Sequence, residues 1–222
     1  MSATVIRVAA WNVHGLRGGV EAVARVVGVE AVDVLLLQES GPRRRLRALG
    51  AALGMVVCDD PPAFPRRRIQ NAVLLLRSPR EVRWHRLARF DGGPLLHPRG
   101  ALIARLDDLT AASVHLGMAG PERGRHVEQL LEILGRGDEP VVIGGDLNAN
   151  PDDTVPAMIA EGYPDVWTLA GEGQGSTFPS HEPSARIDFL FASPAVRPLR
   201  AWTAGATVSD HLMVIADLQL GG

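Results

Sequence analysis

Val141-Val142-Ile143-Gly144-Gly145-Asp146-Leu147-Asn148-Ala149-Asn150, with Pro151-Asp152-Asp153 behind it, decides how the rest of the chain is read. A short branched apolar run reads as a buried strand, and two glycines at its end read as the point where it stops and releases a polar loop. Asp146 and Asn148 lie two residues apart at that exit. If the backbone stays extended there, both side chains fall on one side. A carboxylate and an amide then share one small volume, enough to hold a water and a phosphate oxygen. The same residues are turn formers, and a plain turn accounts for the segment equally well. What shifts the balance is that other apolar runs of the chain end in the same way.

Upstream, residues 99–106 and 109–116 read as a hairpin with Asp107-Asp108 near its turn, and the second arm ends in Val114-His115-Leu116. Taken singly, His115 suits a core histidine. Residues 121–136 read as a helix with Val127, Leu130, Leu131 and Leu134 on one face, returning the chain to the strand at Val141. Downstream, a short helix over 155–160 and a glycine-rich loop precede a strand over 186–191, which carries Asp188 among apolar neighbours. A charge there is costly to bury unless something pairs with it. Asp210 and His211 open the last strand, which runs to about Leu218.

The N-terminal half repeats the pattern. Residues 5–10 read as a strand leaving through Trp11-Asn12-Val13-His14, then Gly18-Gly19 and an amphipathic helix over 20–29. Residues 34–37 form a second strand ending in Gln38-Glu39-Ser40, and Arg43 begins a helix with a basic exposed side. Residues 59–68 are proline-rich and read as a surface loop with three arginines, residues 71–77 as a strand, and residues 91–98 as another loop. The segment 81–89 is weakly patterned.

Composition limits the function classes. A chain of 222 residues with 46% hydrophobic and 22% charged content suits one soluble domain, residues 1–222. The net charge of −2 gives no global pull toward nucleic acid. All 23 basic residues are arginine, whose forked donor suits phosphate, although an arginine-favouring genome accounts for this as well. The single cysteine, Cys58, leaves no intrachain disulfide and is expected to be buried. With no signal-like segment and no run of membrane-spanning length, the expected location is the cytoplasm, with no membrane contact.

The polar residues at apolar strand ends are Asn12, Glu39, His115, Asp146, Asn148, Asp188, Asp210 and His211. Carboxylates and amides without thiolates favour a hard cation such as Mg²⁺ or Mn²⁺, and histidines supply proton handling. In family order, Trp11-Asn12, Gln38-Glu39, the run from Asn71 to Arg77, Val114-His115-Leu116, Gly145-Asp146-Leu147-Asn148, Arg186-Ile187-Asp188 and Ser209-Asp210-His211-Leu212 resemble the endonuclease/exonuclease/phosphatase superfamily, the DNase I-like family, over essentially the whole chain.

The resemblance implies an α/β four-layer sandwich, two mixed β-sheets packed face to face with helices outside, and a metal-dependent phosphoesterase site at one end. It implies that Glu39 is the principal metal ligand, with Asn12 and Asp210, and that Asp146 positions or deprotonates the attacking water. Asn148 would bind a phosphate oxygen, and His211, oriented by Asp188, would contact the scissile phosphate. His115 would stabilise the transition state or assist the leaving group. Asn71, Arg43 and Arg68 are further candidates for phosphate contacts, and the role of His14 stays open. A histidine at 115 resembles the DNase I and sphingomyelinase branches, and Pro183-Ser184-Ala185-Arg186-Ile187-Asp188 lacks the pattern of the inositol polyphosphate 5-phosphatases. The expected activity is phosphodiester hydrolysis, with a nuclease acting on nucleic acid slightly favoured. A phosphatase or diesterase on a small phosphorylated metabolite or lipid head group is the alternative, and an inactive fold that binds a partner is the third reading. A monomer is expected.

Overall fold

The computed structural model describes residues 4–61, 68–87, 99–135, 139–205 and 207–221. β1 (Thr4–Asn12) and β2 (Val34–Pro42) are parallel, joined through a short 3-10 turn at His14–Leu16 and α1 (Val20–Glu30). α2 (Arg43–Leu53) follows, then β3 (Val56–Asp59), β4 (Arg68–Leu75) and β5 (Glu81–Arg86). β6 (Gly100–Arg105) and β7 (Thr110–His115) form an antiparallel hairpin. α3 (Gly120–Leu134) crosses to β8 (Val141–Asp146), which lies parallel to β7. α4 (Thr154–Ala160), α5 (Val166–Ala170), β9 (Asp188–Ala192), β10 (Val196–Ala204) and β11 (Met213–Leu220) complete the chain.

The strands form two mixed sheets, β10-β11-β1-β2-β4-β3 and β5-β6-β7-β8-β9. Alternation along each strand assigns the layers. Val34 and Leu36 join Val8, Val73, Leu102, Val142 and Leu190 in the core between the sheets, while Leu35 and Leu37 face Val23, Val27, Leu46 and Leu49 of α1 and α2. On the second sheet Val114, Ile143 and Phe189 pack outward on Val127, Leu130 and Ile159 of α3 and α4. Both faces of each central strand are therefore covered, which is why these strands read as unbroken apolar runs. The result is the expected four-layer α/β sandwich. Among the described residues no helix is long and apolar enough to cross a membrane.

Three features differ from the sequence reading. β8 does not stop at its glycines but runs through both of them. A Cβ at Gly144 would come within 2.7 Å of Leu36 and Leu190 and 3.0 Å of Ala10, and one at Gly145 would strike the Val114 carbonyl. Gly144 marks a close approach of the two sheets and Gly145 a close approach to the neighbouring strand β7, and neither is a terminator. β3, β5, β10 and α5 carry no clear periodic signal. β10 is an edge strand with only Val196 and Ala201 buried and a register shift near Pro198, so its composition follows solvent and not a core. β9 begins at Asp188 and β11 at Met213, which leaves Asp210 and His211 in the preceding turn. Residues 62–67 and 91–98 of the two expected loops, and the helix end expected at Arg136, lie outside the described residues.

Candidate active site

The exits of β1, β2, β7 and β8 and the entrances of β9 and β11 meet at one end of the sandwich. The register pairs Asn12 with Gln38, His115 with Asp146, and Asp146 with Asp188. Asp146, 2% exposed, is the hub. Its Oδ2 accepts from Asn12 Nδ2 at 3.0 Å, which ties one sheet to the other, and lies 3.4 Å from His115 Nε2 and 4.0 Å from His211 Nε2. Its Oδ1 accepts the Asn148 backbone N–H at 2.9 Å.

The backbone turns at Asn148 with φ 50°, so extended alternation does not bring the two side chains together. A local Asx turn ties the Asp146 carboxylate to the Asn148 backbone instead, so the turn expected from these residues is present. The Asn148 amide Nδ2 donates to the Leu116 carbonyl at 3.1 Å.

His211 and Asp188 form the second unit. Asp188 Oδ2 lies 2.8 Å from His211 Nδ1 and accepts from Thr177 Oγ1 at 2.6 Å, while Asp188 Oδ1 is buried with no hydrogen-bond partner among the described residues. The His211 carbonyl accepts from Trp11 Nε1 at 2.9 Å, and the Phe178 ring lies 4.9 Å away from the imidazole, centroid to centroid. With Nδ1 engaged, Nε2 is left toward the Asp146 side.

Glu39 is aimed by a bulge. Between the pairs Gln38–Asn71 and Gly41–Ile69, β2 advances three residues against two of β4. Glu39 takes up the extra length at φ 48°. Bulges of this kind redirect a side chain beside a site. The Glu39 carboxylate, half-buried, makes no hydrogen bond or ion pair among the described residues. Asp210 stands at the open rim, its Oδ1 3.3 Å from His14 Nδ1 and accepting from Ser209 Oγ at 3.3 Å. His14, left open by the sequence, thus joins the rim, with Arg17 Nη1 2.7 Å from its Nε2. Asn12 Oδ1 accepts the His14 N–H at 3.1 Å, so one lone pair of that oxygen is already engaged.

Two of the three candidates for phosphate contacts, Asn71 and Arg43, are engaged elsewhere in the fold. Asn71 is 0% exposed and donates through Nδ2 to the Ser113 carbonyl at 3.1 Å, a strut between the sheets with no surface for a substrate. Arg43 forks onto Asp59 at 2.6 and 3.0 Å and reaches the Asp60 carbonyl at 3.2 Å, so its guanidinium is held by the β3 end. Arg68 contributes backbone to β4, and its side chain lies outside the described residues.

Arg99 is the residue that sequence reasoning missed. Its Nη1 lies 2.7 Å from His115 Nδ1 and 2.6 Å from Nε2. The available signal was an arginine directly before Gly100, the register partner of His115.

Burial and Arg99 hold His115 low, against the pull of Asp146 and Glu39. Burial would raise Asp146, but the His115 contact, the charges of both histidines and the Asn12 amide hold it below the usual carboxylate range. Burial would lower His211. The charge and hydrogen bond of Asp188, with Asp146 and Asp210, override this and push it up to about 9.

The raised His211 makes stability depend on pH. The folded pKa lies above the unfolded value of about 6.5, so the contribution is fully present below that value and is lost as pH rises through about 9. In chelator, the wild-type melting temperature is expected to fall across this window, by an amount corresponding to at most about 3 kcal/mol. The His211→Asn variant should give a flatter profile. Parallel profiles for the two proteins would exclude the ion pair as the cause.

The donor chemistry fits a hard divalent cation. Asp146, Asp188 and His211 bring ligand atoms within 4.8 Å of one another and can hold an ion. The Glu39 carboxylate and the buried Asp188 oxygen add oxygen donors, and Cys58, the one thiol, lies in the inter-sheet core.

The chain matches the family described as Endonuclease/Exonuclease/phosphatase over residues 9–211. No curated protein matches it by sequence. Among solved structures it is similar to an endonuclease/exonuclease/phosphatase from Bacteroides vulgatus, with a TM-score of 0.83 and 19% identity over 98% of this chain and 99% of that one. The Bacteroides thetaiotaomicron mannosyl-6-phosphatase superposes with a TM-score of 0.77 and 17% identity, covering 96% and 99%. A truncated Caenorhabditis elegans TDP2 gives a TM-score of 0.71 and 20% identity, covering 96% and 97%.

Proposed function

The chain belongs to the endonuclease/exonuclease/phosphatase family, and from that premise we propose a phosphoesterase that hydrolyses phosphodiester bonds of nucleic acid by in-line attack of water, using Mg²⁺ or Mn²⁺. The observation that carries the reading is the His211–Asp188 ion pair 4.0 Å from Asp146, with a Glu39 carboxylate at the same end of the sandwich that makes no hydrogen bond or ion pair among the described residues. When bound, the cation offsets negative charge on a phosphate oxygen or the leaving alkoxide, held by Glu39 with Asp210 and the free lone pair of Asn12.

The remaining work belongs to the chain. Asp146, held below the usual range, is a weak base, so it orients the attacking water more than it deprotonates it. His211 is a cation at neutral pH whose Nε2 donates to a phosphate oxygen, and Asp188 fixes its ring. Asn148 presents its second amide N–H to another phosphate oxygen. His115, buried and kept low, braces Asp146, and Arg99 beside it adds positive charge for the phosphate.

A second reading, a phosphatase or diesterase on a small metabolite, is favoured by the near-complete overlap with the mannosyl-6-phosphatase and by Arg43 being tied to Asp59. Supercoiled plasmid, a diester dye and a monoester dye, each with Mg²⁺, Mn²⁺ or chelator, separate the two. Metal-dependent nicking is expected. An intact plasmid with dye turnover would move the substrate to metabolites, and inertness on all three would sink the hydrolase reading.

A further inference from the structure

α3 carries a fully buried histidine that the mechanism above does not use. His126, 0% exposed, accepts the Gly117 backbone N–H on Nδ1 at 3.2 Å, and its Nε2 lies 3.9 Å from Glu122 Oε1 one turn earlier. The Glu122 carboxylate packs directly on Gly117, where a Cβ would strike it.

The N–H of Gly117 and the C=O of Leu116 belong to one peptide unit. That carbonyl is the acceptor for Asn148 Nδ2 at 3.1 Å. A single peptide plane therefore joins the buried histidine of α3 to the candidate site. His126 holds its nitrogen end, and Asn148 is held by its oxygen end. The Leu116 N–H, donating to the Asp146 carbonyl at 3.0 Å, fixes the neighbouring plane.

A backbone carbonyl only accepts, so whichever end of the Asn148 amide faces Leu116 must be its NH₂. The second N–H and the Oδ1 are then presented in one fixed sense. A peptide plane rotated by half a turn would present an N–H instead, and the Asn148 amide would have to flip or leave.

We propose that His126, backed by Glu122, is a positioning residue that sets the orientation of the Leu116–Gly117 peptide and through it the direction in which Asn148 offers its amide to a phosphate. The proposal rests on the reading that Asn148 binds a phosphate oxygen. A purely packing role for His126 would be indifferent to what stands at 148.

The test is a double-mutant cycle on the full chain, read as kcat on a diester substrate that the wild type turns over. His126→Leu keeps the volume and removes the acceptor, and is expected to lower kcat about 10-fold. His126→Asn places an oxygen near Nδ1 and should recover to within about threefold of wild type. In the Asn148→Ala background, His126→Leu should cost less than about twofold, because the residue it positions is gone. Should the leucine variant not fold, Glu122→Ala, a milder change of the same relay, takes its place, with a smaller loss that also vanishes in the Asn148→Ala background. Equal losses in both backgrounds, or an asparagine variant as impaired as leucine, would overturn the proposal. A wild type inactive on every ester is the separate failure of the hydrolase reading. The ¹⁵N shifts of the Asn148 side-chain amide then decide: movement in His126→Asn and Glu122→Ala smaller than in His126→Leu supports the relay, and no movement in any variant overturns it.

Discussion

His211→Asn is expected to lower kcat by about 10³- to 10⁴-fold while leaving the protein folded, as read by circular dichroism and by turnover of the diester substrate. Asparagine is the informative replacement because its amide N–H can still donate to Asp188 Oδ2, the oxygen now 2.8 Å from His211 Nδ1. The buried carboxylate keeps a hydrogen-bond partner although it loses the cation that faced it, so the variant costs the ion pair but not the hydrogen bond. Only the outward Nε2 and the positive charge disappear, both of which the proposed mechanism assigns to the phosphate. Alanine would confound the two effects. A variant retaining more than about a tenth of wild-type turnover would remove His211 from the chemistry and leave it a structural ion pair.

Glu39→Gln is expected to lower turnover at ordinary metal concentration by about 10³-fold and to weaken Mn²⁺ binding by about 10- to 100-fold, measured by calorimetry or by the paramagnetic signal of free Mn²⁺. Stability in chelator should be unchanged or slightly higher, because the wild-type carboxylate is half-buried at φ 48° and makes no hydrogen bond or ion pair among the described residues. The same variant separates two donor sets. Asp146, Asp188 and His211 are close enough to hold an ion, but their proximity is already accounted for by bonds among themselves and to Asn12 and Thr177. If that cluster is the resident site, Glu39→Gln keeps full Mn²⁺ affinity and Asp188→Asn loses it.

The periodic apolar runs made the layers legible, because a strand covered on both faces must be apolar throughout and a helix lying on it must be apolar on one stripe. Edge elements stayed silent for the converse reason: β10 has only Val196 and Ala201 buried, and nothing in its composition distinguishes it from a loop. Polar residues at strand ends were legible as a set, since packing alone gives a carboxylate little reason to stand directly after a buried run. Their individual duties were less so. Asn71, expected as a phosphate contact, lies between the sheets against Ser113, whereas Asn12, expected at the metal, bonds to Asp146.

What the sequence by itself determined is the alternation of elements, the ordered residue set and hence the family, all of which depend on local pattern and chain order. What only the tertiary structure decided depends on distances between residues far apart in the chain. Arg99 meets His115 through hairpin register, Glu39 is aimed by one extra residue in β2, and His126 reaches the site through the Leu116–Gly117 peptide. Register, bulge and peptide orientation are set by packing across the whole sandwich, and no local stretch of sequence encodes them.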